Sequence, residues 1–305
     1  MSGDRSVHLD RRAVSLVVGC TVVWGLGQVA SKVALAEVPP LTQGGLRSIG
    51  AALLVLAWAK RRGIPLWERD GTLGPGLVAG TLFAAEFAAV YSALQFTTAG
   101  RMTVFLYTAP FVVAIGMPFI SRGEGLRGLP LAGLITAFAG VAFAFLDSFT
   151  SAGAGSQQWL GDLLAALAAI GWGATTLVIR ATALAPVHPA KTLLYQLGVS
   201  GIGLTAIGGL TGERMQWPLT APVAEALGFQ IVIVGSTSFL VWFWLIRTYS
   251  ATRLSAFTLL TPVVALVAGA VVLHESVTPR ILVALLGVCL GLAAVNLRPT
   301  RPKEG

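Results

Sequence analysis

Apolar residues in this chain of 305 residues gather into ten long runs separated by short polar connections. The runs cover about 13–35, 41–59, 73–96, 101–120, 128–146, 159–179, 191–210, 224–246, 253–273 and 280–297. Each is close to the roughly 20 residues that a helix needs to cross a hydrocarbon core of about 30 Å. They are continuous stretches rich in Ala, Leu and Val, not ten-residue segments of alternating polarity, so they predict membrane helices and not barrel strands. The first run follows Arg11-Arg12, as a signal peptide would. It is too long for a signal core and lacks a small-x-small cleavage site before Lys32, so it is expected to stay as a helix.

The polar remainder fits that picture. Hydrophobic residues make up 55% of the chain and charged residues 11%, with a mean hydropathy of +0.79. A soluble domain carries about 25% charged residues. The net charge is +8, but its placement argues against nucleic acid as a partner. With the N-terminus inside, Arg5, Arg11, Arg12, Lys60, Arg61, Arg62, Arg69, Arg122, Arg127, Arg180, Lys191, Arg247, Arg253, Arg298, Arg301 and Lys303 all fall on the cytoplasmic side, which is 16 of 21 cations. That is the positive-inside bias, and it predicts cytoplasmic N- and C-termini. No basic run is interleaved with stacking aromatics.

Internal repetition sets the organisation. The segment V-V-W-G-L-G-Q-V-A-S-K is echoed by A-I-G-W-G-A-T-T-L-V-I-R, pairing Trp24-Gly25 with Trp172-Gly173 and Lys32 with Arg180 at an offset of 148. T-A-G-R-M-T-V-F-L-Y-T-A-P is echoed by S-A-T-R-L-S-A-F-T-L-L-T-P, pairing Arg101, Phe105 and Pro110 with Arg253, Phe257 and Pro262 at an offset of 152. Five runs lie in residues 1–147 and five in 159–305, joined by a small, polar linker at 148–158 that is expected outside the cell. An odd number of helices per copy makes the second copy enter from the opposite side. The expected fold is therefore all-α, with ten transmembrane helices in two inverted five-helix repeats, an arrangement found in transporters. Gly76-x-x-x-Gly80 and Gly287-x-x-x-Gly291 are close-packing motifs, within one chain or between chains, so a monomer and a weak homodimer are both open.

Ten helices in two copies, W-G in the first helix of each and A-x-R-x-x-x-F-x-x-x-x-P in the fourth of each resemble the EamA-type drug/metabolite transporter superfamily, most closely the YddG-type exporters of aromatic amino acids. The resemblance spans essentially the whole chain. It implies a basket in which helices one to four and six to nine surround a central cavity, with helices five and ten outside. It also implies a bacterial inner-membrane location, alternating access, and outward movement of small metabolites such as amino acids. Export of other amino acids or drug-like cations is the alternative cargo. A membrane scaffold or sensor without transport is the rival from another class.

Several residues could carry such a function. Glu86 sits in the middle of the third run, where a carboxylate costs about 2.5–3.5 kcal/mol on insertion scales. It faces a cavity, a proton path or a substrate ammonium, or it is a protonated carboxyl bonded to a neighbouring helix. Arg47, with Gln28 and Gln43 at comparable depth, pairs with Glu86, holds a substrate carboxylate or snorkels outward. Tyr91, Tyr107, Trp172, Tyr195, Trp242 and Trp24 are mid-helix aromatics that line the substrate site or pack in the core. Trp67, Trp159 and Trp217 fit the interfacial belt. Pro110 and Pro262 are hinge or gating candidates, with a packing kink as the alternative. Lys32 and Arg180 read as helix-end anchors or gate residues, and Cys20 and Cys289 as packing residues. His8, His188 and His274 fall in the tail or connections, and neither H-E-x-x-H nor a P-loop occurs, so no enzyme activity, metal or cofactor is expected.

Overall fold

The computed structural model describes residues 9–93, 95–121, 124–146, 149, 157–272 and 279–296. The linker at 148–158, apart from Phe149, Gln157 and Gln158, lies outside the described residues. So do Arg5, Arg122, Arg298, Arg301 and Lys303 of the charge pattern, and His8 and His274.

Ten helices form, and no strand is present among the described residues. They are α1 (Arg11–Ala34), α2 (Pro40–Arg61), α3 (Leu73–Ala93), α4 in two halves (Ala99–Leu106 and Ala109–Ile120), α5 (Leu129–Ala144), α6 (Gln158–Ala181), α7 (Pro189–Leu210), α8 (Ala221–Thr248), α9 in two halves (Ala251–Phe257 and Leu260–Val272) and α10 (Pro279–Asn296). By length and composition α1, α3, α4, α6, α7, α8 and α9 are sufficient to cross a membrane, and α5 and α10 contain shorter apolar helices. α2 has 22 residues but carries Gln43 and Arg47 within it.

Local chemistry repeats at the same spacing as the motifs. Thr98 caps α4 by accepting from the Arg101 N–H, and Ser250, 152 residues on, caps α9 by accepting from the Arg253 N–H. Pro40 and Pro189 open α2 and α7, where a missing N–H costs nothing. Both prolines singled out in the sequence follow a break in their helix. α4 is interrupted at Tyr107-Thr108 just before Pro110, and α9 at Thr258-Leu259 just before Pro262. A proline here removes a helical hydrogen bond and crowds the preceding turn, and the chain responds by stopping one helix and starting another.

The main packing partners come from opposite halves of the chain. α1 packs on α9 and α8, α2 on α7 and α8, α3 on α6 and α7, and α4 on α6. α5 and α10 pack on each other beside α9. The W-G motif explains part of this. A Cβ on Gly25 of α1 would meet Val264 of α9 at 2.6 Å, and one on Gly173 of α6 would meet Val112 of α4 at 2.5 Å. Val112 and Val264 are themselves 152 residues apart. Each glycine therefore seats its helix against the far half's proline-broken helix.

Hydrogen bonds and ion pairs hold both ends of the bundle. At the end that carries Asp10, Tyr249 donates to Asp10 at 3.0 Å, and Lys191 pairs with Asp70 at 2.8 Å. Hydrogen bonds from Lys191, then from Thr72, hold the Asp70 carboxyl down at about 2. At the other end Thr97 donates to Asp162 at 2.8 Å, Arg101 pairs with Asp162, and Glu213 accepts from the Thr42 N–H at 2.7 Å. Thr97 and Asp162 stand 152 residues from Tyr249 and Asp10, so the two ends use equivalent contacts. Trp67, Trp159 and Trp217 are exposed, as belt residues should be. Cys20 is buried, but Cys289 is exposed and is not the packing residue expected.

The glycine motifs pack helices within the chain. Gly133 of α5 and Gly291 of α10 face each other so closely that a Cβ on either would stand 2.5 Å from the other's carbonyl oxygen. Gly133→Val should therefore destabilise the fold by about 1–3 kcal/mol. Thermal unfolding in detergent measures this. Unchanged stability, with only oligomeric state altered, would contradict the intramolecular assignment.

Candidate substrate site

At mid-height the bundle interior gathers polar groups that are short of partners. Glu86 of α3 and Arg47 of α2 are each 8% exposed. Glu86 Oε2 and Arg47 Nε have no hydrogen-bond partner. The Arg47 guanidinium lies over the Phe87 ring at 4.4 Å, and its aliphatic stem passes Gly235 of α8. Arg47 therefore points inward, and the snorkelling alternative does not hold. Arg47 and Glu86 make no ion pair with each other.

The surrounding helices add more polar capacity. Gln28 of α1 donates to the Tyr107 hydroxyl at 3.3 Å, at the break in α4. Ser31 of α1 donates to Gln230 of α8 at 3.1 Å, and Gln43 of α2 donates to the Ser31 carbonyl at 3.1 Å. Gln43 Oε1, Gln230 Nε2 and Ser48 Oγ are buried without partners. A buried polar atom left unpaired costs about 1–3 kcal/mol, and several in one region mark a place built to hold something polar.

Aromatic rings form the apolar side. Trp242, Trp24, Phe239, Phe83, Phe87 and Tyr91 run in sequence across α8, α1 and α3, with successive centroids 4.9–6.3 Å apart. The ring of Trp172 meets Tyr107 edge-on at 5.6 Å. Gly171 brings α6 against Glu86, where an added Cβ would lie 3.7 Å from the Glu86 Cβ. Glu86, Arg47, Tyr91, Tyr107, Trp172, Trp24 and Trp242 thus belong to one connected interior set. Tyr195 does not. Its hydroxyl lies 3.1 Å from Thr72 Oγ1 and its ring packs on Gly76, about 15 Å along α3 from Glu86 at 1.5 Å per residue.

Three features escaped the sequence reading. Phe83, Phe87 and Phe239 connect the aromatic set but look like ordinary core residues in a chain with 14 Phe. Gln230–Ser238 forms a π-helical stretch in α8, with Ser236 and Thr237 donating to carbonyls five residues back. Such widened turns concentrate at functional sites, and this one faces Arg47 and Ala51 of α2 through Gly235. Arg180, expected as an anchor or gate residue, is buried at 4% exposure, pairs with Glu124 and donates to the Ile246 carbonyl at 2.9 Å. Glu124 also accepts from the Ala251 N–H at 2.8 Å. One carboxylate therefore ties the α4–α5 connection to α6 and to the start of α9. The weak signal for it was the Lys32/Arg180 repetition.

With this geometry in place, comparison with known proteins fixes the family. The EamA-like transporter family matches residues 11–146 and 159–297. The chain belongs to that family. A probable amino-acid metabolite efflux pump of Escherichia coli K12 is 29% identical, over 88% of this chain and 90% of its own. The uncharacterized transporter YvbV of Bacillus subtilis is 29% identical, over 96% and 94%. A solved crystal structure superimposes with a TM-score of 0.80 at 19% identity, over 96% of this chain and 99% of its own. That likeness shows the fold alone.

The Arg180–Glu124 pair is testable on its own. Glu124→Gln removes the carboxylate from a buried guanidinium and should cost about 3–5 kcal/mol of stability, whereas replacing both partners by Arg180→Met and Glu124→Leu should cost less. Thermal melts of the single and double variants decide it. A double variant as unstable as the single one would show that the charges are not what ties these helices.

Proposed function

We propose that this transporter exports amino acids, with aromatic side chains preferred, across the bacterial inner membrane by alternating access. The observation that carries the reading is the interior set itself. A guanidinium and a carboxyl, each with a buried polar atom that has no hydrogen-bond partner, lie beside a run of aromatic rings, inside a bundle whose halves pack on each other. An amino acid brings two opposite charges and a side chain, and the set offers a complement to each part.

Alternating access requires two packings of the same helices. The breaks before Pro110 and Pro262 supply joints in the fourth helix of each half, and the π-helical stretch of α8 supplies a third. Contacts that recur at both ends, Asp10 with Tyr249 and Asp162 with Thr97, are the groups that would form and release in turn. Glu86 is the residue available for proton coupling.

Aromatic preference should be modest. Stacking contributes about 0.5–1.5 kcal/mol beyond area burial, which limits discrimination over an aliphatic competitor to roughly tenfold. In proteoliposomes, Trp172→Ala or Tyr107→Ala should reduce counterflow of labelled phenylalanine more than that of threonine. Equal loss for both substrates would assign these rings to folding or gating, and no loss would remove them from the site.

Orientation has its own test. Reporter fusions at Gly305 and near Gly155 should report opposite sides, with Gly305 in the cytoplasm. Both on one side would refute the inverted arrangement of the halves in the membrane.

A further inference from the structure

We propose that Arg47 and Glu86 form a clamp for a zwitterion, Arg47, seated on the Phe87 ring, taking the carboxylate of the cargo and Glu86 its ammonium. This assignment rests on the amino-acid reading above and adds to it the charge requirement and the residue that meets each charge.

Three observations carry it. Both side chains are more than nine-tenths buried, on different helices, and each has a buried polar atom without a partner. The two groups are not ion-paired with each other, so each keeps polar capacity for a ligand. The guanidinium is instead seated over the ring of Phe87, the residue that follows Glu86 in α3, so the aromatic face fixes its position against the helix that carries the carboxyl. An α-amino acid presents its ammonium and carboxylate on one carbon and so brings an oppositely charged partner for each of the two groups.

Among the described residues the other half of the chain contains no second clamp. Ser238 stands 152 residues from Glu86, and its hydroxyl accepts from the Trp24 indole N–H at 2.8 Å. The site is single although the fold is doubled. The run of rings from Phe87 toward Trp24 gives the cargo side chain an apolar surface on the clamp's flank.

Binding to the purified full-length protein tests the clamp, using L-phenylalanine, phenethylamine (no carboxylate) and 3-phenylpropionate (no ammonium). The wild-type protein should bind phenylalanine about tenfold or more tighter than either analogue, as expected for loss of one buried charge-assisted bond. Glu86→Gln should weaken phenylalanine and phenethylamine but leave 3-phenylpropionate unchanged. Arg47→Gln should weaken phenylalanine and 3-phenylpropionate but leave phenethylamine unchanged, and Arg47→Lys should retain most of the preference. Wild-type protein that binds all three alike would overturn the clamp without touching the amino-acid reading. Uniform weakening of all three ligands in both Gln variants would do the same. If wild type binds neither phenylalanine nor other amino acids, the functional reading falls and the clamp falls with it.

Discussion

A polar group carried into a bilayer has no water to bond, and this structure is organised by that constraint. The backbone meets it by folding into helices. Capping side chains and proline starts absorb the helix ends, as Asp10, Thr98 and Ser250 do by accepting N–H groups. Charged side chains meet it near the ends by pairing, as Arg180 with Glu124, Arg101 with Asp162 and Lys191 with Asp70. Inside the bundle the requirement is left open at Arg47 Nε, Glu86 Oε2, Gln43 Oε1, Ser48 Oγ and Gln230 Nε2, and beyond this set at Gln196, Thr252, Thr261 and Asn296. The first set is gathered on α2, α3 and α8 beside the run of aromatic rings.

The two halves depend on each other for their packing. Small residues decide where they meet, because lipid tails are as apolar as leucine and only close approach favours one helix contact over another. Gly25 against Val264 and Gly173 against Val112 place the first helix of each half on the broken fourth helix of the other. Each broken helix is thus held by a helix from the opposite half. α5 and α10 sit aside as a tightly packed pair through Gly133 and Gly291. This division leaves eight helices to surround the interior and two to brace it.

Much of this was legible in the sequence because membrane helices announce themselves. Length and apolar content locate all ten, and the echo of W-G and of A-x-R-x-x-x-F-x-x-x-x-P shows the doubling. Glu86 and Arg47 stand out because charge is rare in such runs. Direction was harder. Nothing in the residues around Arg47 says that it turns inward over Phe87, since snorkelling depends on depth and on the neighbour's side chain. Tyr195 looked like Tyr91 in composition and position, but the close approach of Gly76 draws it toward Thr72 and away from the interior set. The π-helical stretch, whose Gly235 lies against Ala51 and Arg47 of α2, has no mark in the hydrophobic pattern of its run. Glu124 was missed because it lies in a connection, where a carboxylate normally faces solvent.

Function then sits where the repeat departs from its own symmetry. Trp24 and Trp172 are equivalent, as are Ser238 and Glu86. In one pair the indole N–H of Trp24 is bonded to Ser238 and the group is closed. In the other, Trp172 is set edge-on to Tyr107, a residue whose counterpart is Leu259, and Glu86 Oε2 remains without a partner. Duplication supplies two matched frameworks able to rock against each other, and that demands similarity between the halves. Recognition of an asymmetric small molecule demands the opposite, a single set of contacts with a defined polarity. Replacing a serine position by a carboxylate and a leucine position by a tyrosine breaks the equivalence in the interior while leaving the glycine and end contacts matched. On the proposed reading, the matched frameworks are what would move, and the unmatched interior is what would distinguish one end of the cargo from the other.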